Sequence, residues 1–213
     1  MMCPFNLTYL NFFKKRRHPQ FNTKKMKKIF IFNGVHGSGK STVAQNIVKM
    51  DKRFKYFDEI GKRVREKMGG ATVDINKEFD KKVMIEELER DQKLLETEKI
   101  PIVETWHIGN IAYIEKRNPD LTREYVEKML NQMNFIEPCG VIFKIDHQTF
   151  KQRMTEKIPP EKLSEYIVFY NSIIYNTLDL YNKYKIPYII YDNNTNSIDK
   201  ITRDIINSLN LTI

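Results

Sequence analysis

The chain has 213 residues, 41% of them hydrophobic and 30% charged, with 36 Lys+Arg against 27 Asp+Glu and a net charge of +9. That balance excludes a disordered or collagen-like chain, and no run approaches the ~18 consecutive apolar residues of a membrane helix. Cys3 and Cys139 form neither a disulfide framework nor a metal-ligand spacing, which suits a reducing, cytoplasmic setting.

Residues 1–26 read as a basic extension, expected to be disordered, ahead of a body over 27–213. Residues 1–28 hold eight bases and no acid, which leaves 28 bases against 27 acids over 29–213. The charge therefore belongs to the extension, and nucleic acid is expected as a partner only through it. A secretory signal would place its apolar stretch after the basic run, whereas Leu10, Phe12 and Phe13 precede Lys14-Lys15-Arg16-Arg17. A transit peptide would carry serine, and none precedes Ser38. The basic run also fits a nuclear signal or nucleic-acid arm, and Met26 stands where translation could start.

In the body, strands are expected over 28–32, 55–57, 100–103, 141–145 and 188–191, each a short apolar run. Helices are expected over 42–50, 108–118, 122–133, 161–184 and 198–209. A further helix, capped by Asp74 and running to about Glu96, carries Ile75, Phe79, Val83, Leu88 and Leu95 as its apolar stripe. A basic helical segment over 149–157 ends at Pro159-Pro160. Strands alternating with helices predict an α/β fold, a five-stranded parallel sheet flanked by helices on both faces, with a short helical lid. Tyr166, Tyr170, Tyr175 and Tyr181 are expected to pack as one aromatic helix face, and Cys139 as a small buried residue.

Gly34-Val35-His36-Gly37-Ser38-Gly39-Lys40-Ser41 matches the phosphate-loop pattern G-x-x-x-x-G-K-[ST], between a strand and a helix that continues through Thr42. Glycines allow the backbone to wrap a phosphate, and the helix start adds partial positive charge. Lys40 can reach the β- and γ-phosphates and Ser41 can ligate Mg²⁺, so ATP with magnesium is expected. The reaction must be decided by the other strand ends, where ligands of parallel sheets bind. Acidic residues stand there: Glu59 with Asp58, Glu104, and Asp146. Tyr56-Phe57-Asp58-Glu59 looks like the acidic strand of ATP-hydrolysing motors but comes early, on the next strand, so Glu104 fits better.

With Ile102-Val103-Glu104-Thr105 as the acidic strand, the body resembles the nucleoside and nucleotide kinases of the P-loop fold: thymidylate kinases, deoxynucleoside kinases and the ribosylnicotinamide-kinase-like group. Those strands usually continue with Arg, and here Thr105-Trp106-His107 follows. Phe57-Asp58-Glu59-Ile60-Gly61-Lys62-Arg63 is similar to a segment that faces the acceptor in the ribosylnicotinamide-kinase-like group. Phe143-Lys144-Ile145-Asp146 with Phe150-Lys151-Gln152-Arg153 resembles the fourth strand and lid.

The resemblance implies ATP-dependent phosphoryl transfer to a nucleoside, nucleotide or similar small molecule. Lys40 and the loop amides would hold the donor, and Glu104 would orient or deprotonate the acceptor or hold magnesium with Ser41. Arg153, with Arg63, Arg117 and Lys157, would offset charge on the transferred group. Glu59, Arg63, Trp106 and Arg117 are the expected acceptor contacts, Trp106 by stacking. His36 and His107 are read as hydrogen-bonded loop residues. A homodimer is compatible with this reading. An ATP-binding switch and a nucleic-acid-associated ATPase use the same loop; the lack of an appended recognition domain favours the kinase.

Overall fold

The computed structural model describes residues 26–69, 76–155, 158–194 and 197–210. The extension before Met26, Asp74 and Lys157 lie outside them. Strands β1 (Lys27–Gly34), β2 (Phe54–Phe57), β3 (Ile100–Glu104), β4 (Ile136–Lys144) and β5 (Tyr188–Asp192) form one parallel sheet in the order β2-β3-β1-β4-β5. The helices are α1 (Lys40–Met50), α2 (Ile60–Met68), α3 (Lys77–Glu96), α4 (His107–Arg117), α5 (Thr122–Gln132), α6 (His147–Met154), α7 (Leu163–Lys183) and α8 (Ile198–Asn210). No described helix is long and apolar enough to cross a membrane.

Central strand β1 is buried on both faces, which is why its sequence is a continuous apolar run instead of an alternating one. Phe30 and Phe32 pack with Val43 and Ile47 of α1 and Ile201 and Ile205 of α8. Ile29 and Ile31 face the opposite way, onto α4, α5 and α7. A third cluster joins Val35 to Phe150 and Met154 of α6 and Leu163, Ile167 and Tyr170 of α7, so the lid segment packs on the phosphate loop. Because the chain leaves β1 for β2 and returns to β3 between them, a crevice opens above the adjoining ends of β1 and β3.

Four expectations about elements are corrected. Strand β4 starts at Ile136, five residues before the expected start, and takes in Pro138. Gly140 N–H donates to Pro187 O on the β5 side. Pro138, two residues earlier, turns its missing N–H to that same side, where β5 has not begun, so no ladder bond is lost. Helix α2 was not anticipated; it has two buried apolar residues, Ile60 and Val64, packed on Phe79 and Val83 of α3. The tyrosines of α7 do not share a face: Tyr170 and Tyr181 are buried, whereas Tyr166 and Tyr175 are exposed. The buried stripe is Leu163, Ile167, Tyr170, Ile173, Thr177, Leu180 and Tyr181, which takes in two of the four tyrosines.

Helix α3 is the fourth. It begins at Lys77, and Asn76 caps it by accepting from the amides of Glu78 (3.0 Å) and Phe79 (3.2 Å). Its buried face carries Glu87, Arg90 and Asp91, while Leu95 of the expected stripe is exposed. Replacing Asn76 by Ala should lower the free energy of unfolding by about 1 kcal/mol, read as a lower denaturant midpoint; an unchanged midpoint would contradict the cap.

Candidate active site

The loop between β1 and α1 has the backbone that its glycines permit. Gly37 and Gly39 adopt φ of +75° and +90°, and a Cβ on Gly39 would lie 2.6 Å from Asn193 Nδ2. Asn193, buried just past β5, donates to Ser38 O at 2.6 Å and braces the loop from behind. Ser38 is fully buried, and its hydroxyl has no hydrogen-bond partner. Lys40 is 7% exposed, and its ammonium donates to the carbonyls of Gly34 (2.9 Å) and Val35 (3.2 Å). Ser41 and Thr42 are exposed on the first turn of α1, where helix amides have no intrahelical partner. Val35 turns into the lid cluster, and His36 meets the Tyr170 ring edge-on with centroids 5.1 Å apart.

A cleft of about 600 Å³ opens at this loop. One wall is the loop itself, from His36 to Thr42. Facing it are Glu104 at the end of β3 and Glu59, Lys62, Arg65 and Glu66 at the start of and along α2. Glu104 is 3% exposed, and its Oε1 accepts from the Tyr56 hydroxyl at 3.0 Å. Burial, then the Glu104 charge, push the Tyr56 hydroxyl far above its ordinary range, so it stays a donor; Ser41 is its other neighbour. Glu59 sits at the N-cap position of α2 but makes no side-chain cap bond, so its carboxylate is not engaged with the helix end.

Several expected site residues lie elsewhere. Trp106 is fully buried and its indole donates to Asp91 at 2.8 Å, so it cannot stack on an acceptor. Arg63 pairs with Glu86 at 2.9 Å and Asp58 at 3.6 Å, which ties α2 to α3. Arg117 pairs with Asp80 at 2.5 Å and lies against the Tyr113 and Phe79 rings. Asp146 caps α6, accepting from Thr149 N at 2.7 Å, and that amide holds its carboxyl below the usual range. His107 is buried with Nε2 2.7 Å from Asp91. Arg153 of the lid donates to the carbonyls of Gly37 (2.9 Å) and Asn193 (3.1 Å), beside the loop.

Three residues of the site had no sequence signal of their own. Tyr56 reads as an ordinary strand aromatic, and Asn193 as one asparagine among many. Arg65 lines the cleft where Arg63 had been expected. Its Nε is buried without a hydrogen-bond partner, and with Glu59 it lies within electrostatic reach of Tyr113 and Tyr170.

The donor set can hold a nucleotide and its metal. The loop offers amides and an ammonium to phosphate, while Ser41 and Glu104 offer a hydroxyl and a carboxylate in the same cleft.

No family model and no curated protein matches the sequence. Among solved structures the chain is similar to thymidylate kinase from Candida albicans, at 14% identity and a TM-score of 0.62, over 88% of this chain and 92% of that one. It is similar to thymidylate kinase from Ehrlichia chaffeensis, at 16% identity and 0.55, over 86% and 99%. It is also similar to the YorR protein from Bacillus subtilis in complex with phosphorylated GDP, at 18% identity and 0.59, over 86% and 96%. At these identities the likeness is one of fold: five parallel strands in one sheet, with helices packed on both faces, give this chain the α/β P-loop fold of the thymidylate kinases.

Proposed function

We propose that the protein transfers the γ-phosphoryl group of ATP to a nucleoside or nucleotide acceptor, with nucleotides favoured. The observation that carries this reading is the cleft itself, which has a phosphate loop on one wall and, on the other, Glu104 and the α2 side chains. An acceptor oxygen bonds to the γ-phosphorus as the bond to the β–γ bridging oxygen breaks, and ADP leaves with that oxygen. Little covalent help is needed; the residues align two oxygens and stabilise charge. Lys40 and the loop amides bind the donor phosphates. Glu104, steadied by Tyr56, orients the acceptor oxygen and accepts its proton where it carries one. Ser41 and Glu104 would hold Mg²⁺, which offsets phosphate charge when bound. Arg153 stands at the lid to balance charge on the donor side.

Arg65 favours a phosphorylated acceptor. A guanidinium beside the cleft with a buried, unpartnered Nε is suited to a phosphate, which can accept two parallel hydrogen bonds. An ADP-release screen over nucleosides, nucleoside monophosphates and nicotinamide riboside tests this, with Lys40→Ala as control. Stimulation by a nucleoside monophosphate is expected, and stimulation by none would favour an ATP-binding switch. Arg65→Ala should raise KM for that acceptor about tenfold or more while KM for ATP moves less than about twofold; equal effects on both would contradict the assignment.

A further inference from the structure

The charge buried on α3 has one centre, Arg90, which is 3% exposed. Its Nη1 donates to the carbonyls of Asp58 (2.7 Å) and Glu104 (3.1 Å). Its Nη2 donates to Thr105 O (3.1 Å) and to the Glu87 carboxylate (2.6 and 2.7 Å). The N–H groups of both terminal nitrogens are thereby used. Each carbonyl lies where a strand runs out: Asp58 follows β2, Glu104 closes β3, and Thr105 is held at φ +44°, a left-handed conformation unfavourable to a β-branched residue. Asn110 of α4 donates to Glu87 at 2.6 Å, and Asp91 receives the Trp106 indole, so the same network fixes the turn from β3 into α4.

Glu87, Asp91 and His107 bring three ligand-type atoms within 4.8 Å of one another, a spacing a metal could use. Arg90, Asn110 and Trp106 already engage those carboxylates, and His107 lies 2.7 Å from Asp91, so the guanidinium supplies a permanent cation to this cluster. Burial pushes the Glu87 carboxyl up, and Arg90 acts against that shift.

We infer that Arg90 is a positioning residue, which gathers the ends of β2 and β3 so that Glu104 stands at the cleft beside Tyr56 and α2 departs with Arg65 beside the cleft. A planar fork can bind three carbonyls and a carboxylate at once, and a lysine ammonium, with three donors on one atom, cannot. The kinetic consequence rests on the phosphoryl-transfer reading; the structural one does not.

Arg90→Lys keeps a positive charge beside Glu87 and removes the fork. It should lower kcat about tenfold or more, with ATP affinity changed less than about twofold. In a Glu104→Gln background the same substitution should cost less than about threefold, because Arg90 acts through Glu104. The Thr105 amide, bonded to Phe32 O at 3.2 Å, should exchange hydrogen faster relative to the β1 amides, by about tenfold. An equal loss of kcat in both backgrounds, or unchanged kcat and exchange, overturns the inference. If the wild-type protein phosphorylates no acceptor, the functional reading falls by itself and the exchange measurement decides: faster exchange at Thr105 supports the positioning role, and unchanged exchange refutes it.

Discussion

Replacing Lys40 with Ala is expected to abolish phosphoryl transfer and to leave the protein folded. Among the described residues, Lys40 carries the fixed positive charge on the loop wall of the cleft, and it stands on the first turn of α1. A charged donor aimed at developing charge in a closed site is worth roughly 3–4 kcal/mol of barrier, a hundredfold to a thousandfold in rate. The cost to folding is smaller. Gly34 and Val35 each lose a donor to their carbonyl, at about 0.5–1.5 kcal/mol apiece, against a total stability of roughly 5–15 kcal/mol. Turnover with the best acceptor, alongside a thermal melt by circular dichroism, measures both. A folded variant retaining more than about a tenth of wild-type turnover would contradict the role given to Lys40.

The second large effect is expected from Glu104→Gln. Glutamine keeps an oxygen for the Tyr56 hydroxyl, so the 3.0 Å bond and the end of β3 survive, and only the charge and the proton-accepting capacity are lost. The expected result is a fall in kcat of about a hundredfold or more, with ATP binding measured without acceptor weakened far less. If ATP affinity fell by the same factor as kcat, the role of Glu104 would be confined to the donor and its metal, with none at the acceptor. Unchanged kcat would remove it from the mechanism.

What could be read from the chain divides along local and long-range physics. The phosphate loop is a contiguous pattern whose glycines, lysine and helix start act on one another within eight residues, so its geometry follows from its spelling. Strand β1 before it is likewise local, because burial on both faces makes it a continuous apolar run. The early start of β4 was not legible, because the tolerance for Pro138 depends on where β5 begins, fifty residues later. The choice between Arg63 and Arg65 required α2 to be seen as a helix. Two positions apart on a helix turn side chains about 200° apart, so one arginine meets Glu86 while the other lines the cleft.

Trp106 and α3 failed for a related reason. A lone tryptophan past a strand end, and charges in a helix, ordinarily read as solvent-facing. Here each charge is matched by a group from another element: the Asp58, Glu104 and Thr105 carbonyls, Asn110, and the Trp106 indole. A buried guanidinium persists only with such partners, and no periodicity within α3 could announce them. The net charge of +9 was similarly uninformative about the site, since nearly all of it precedes residue 29.

The proposed reaction is transfer, as distinct from binding or hydrolysis. It is tested most directly by mixing the protein with ATP labelled at the γ-phosphate and the acceptor chosen by the screen, in a single turnover, and separating the products. Label carried on the acceptor, absent with Lys40→Ala, is the predicted result. Label released only as inorganic phosphate, or retained on ATP, would contradict the account.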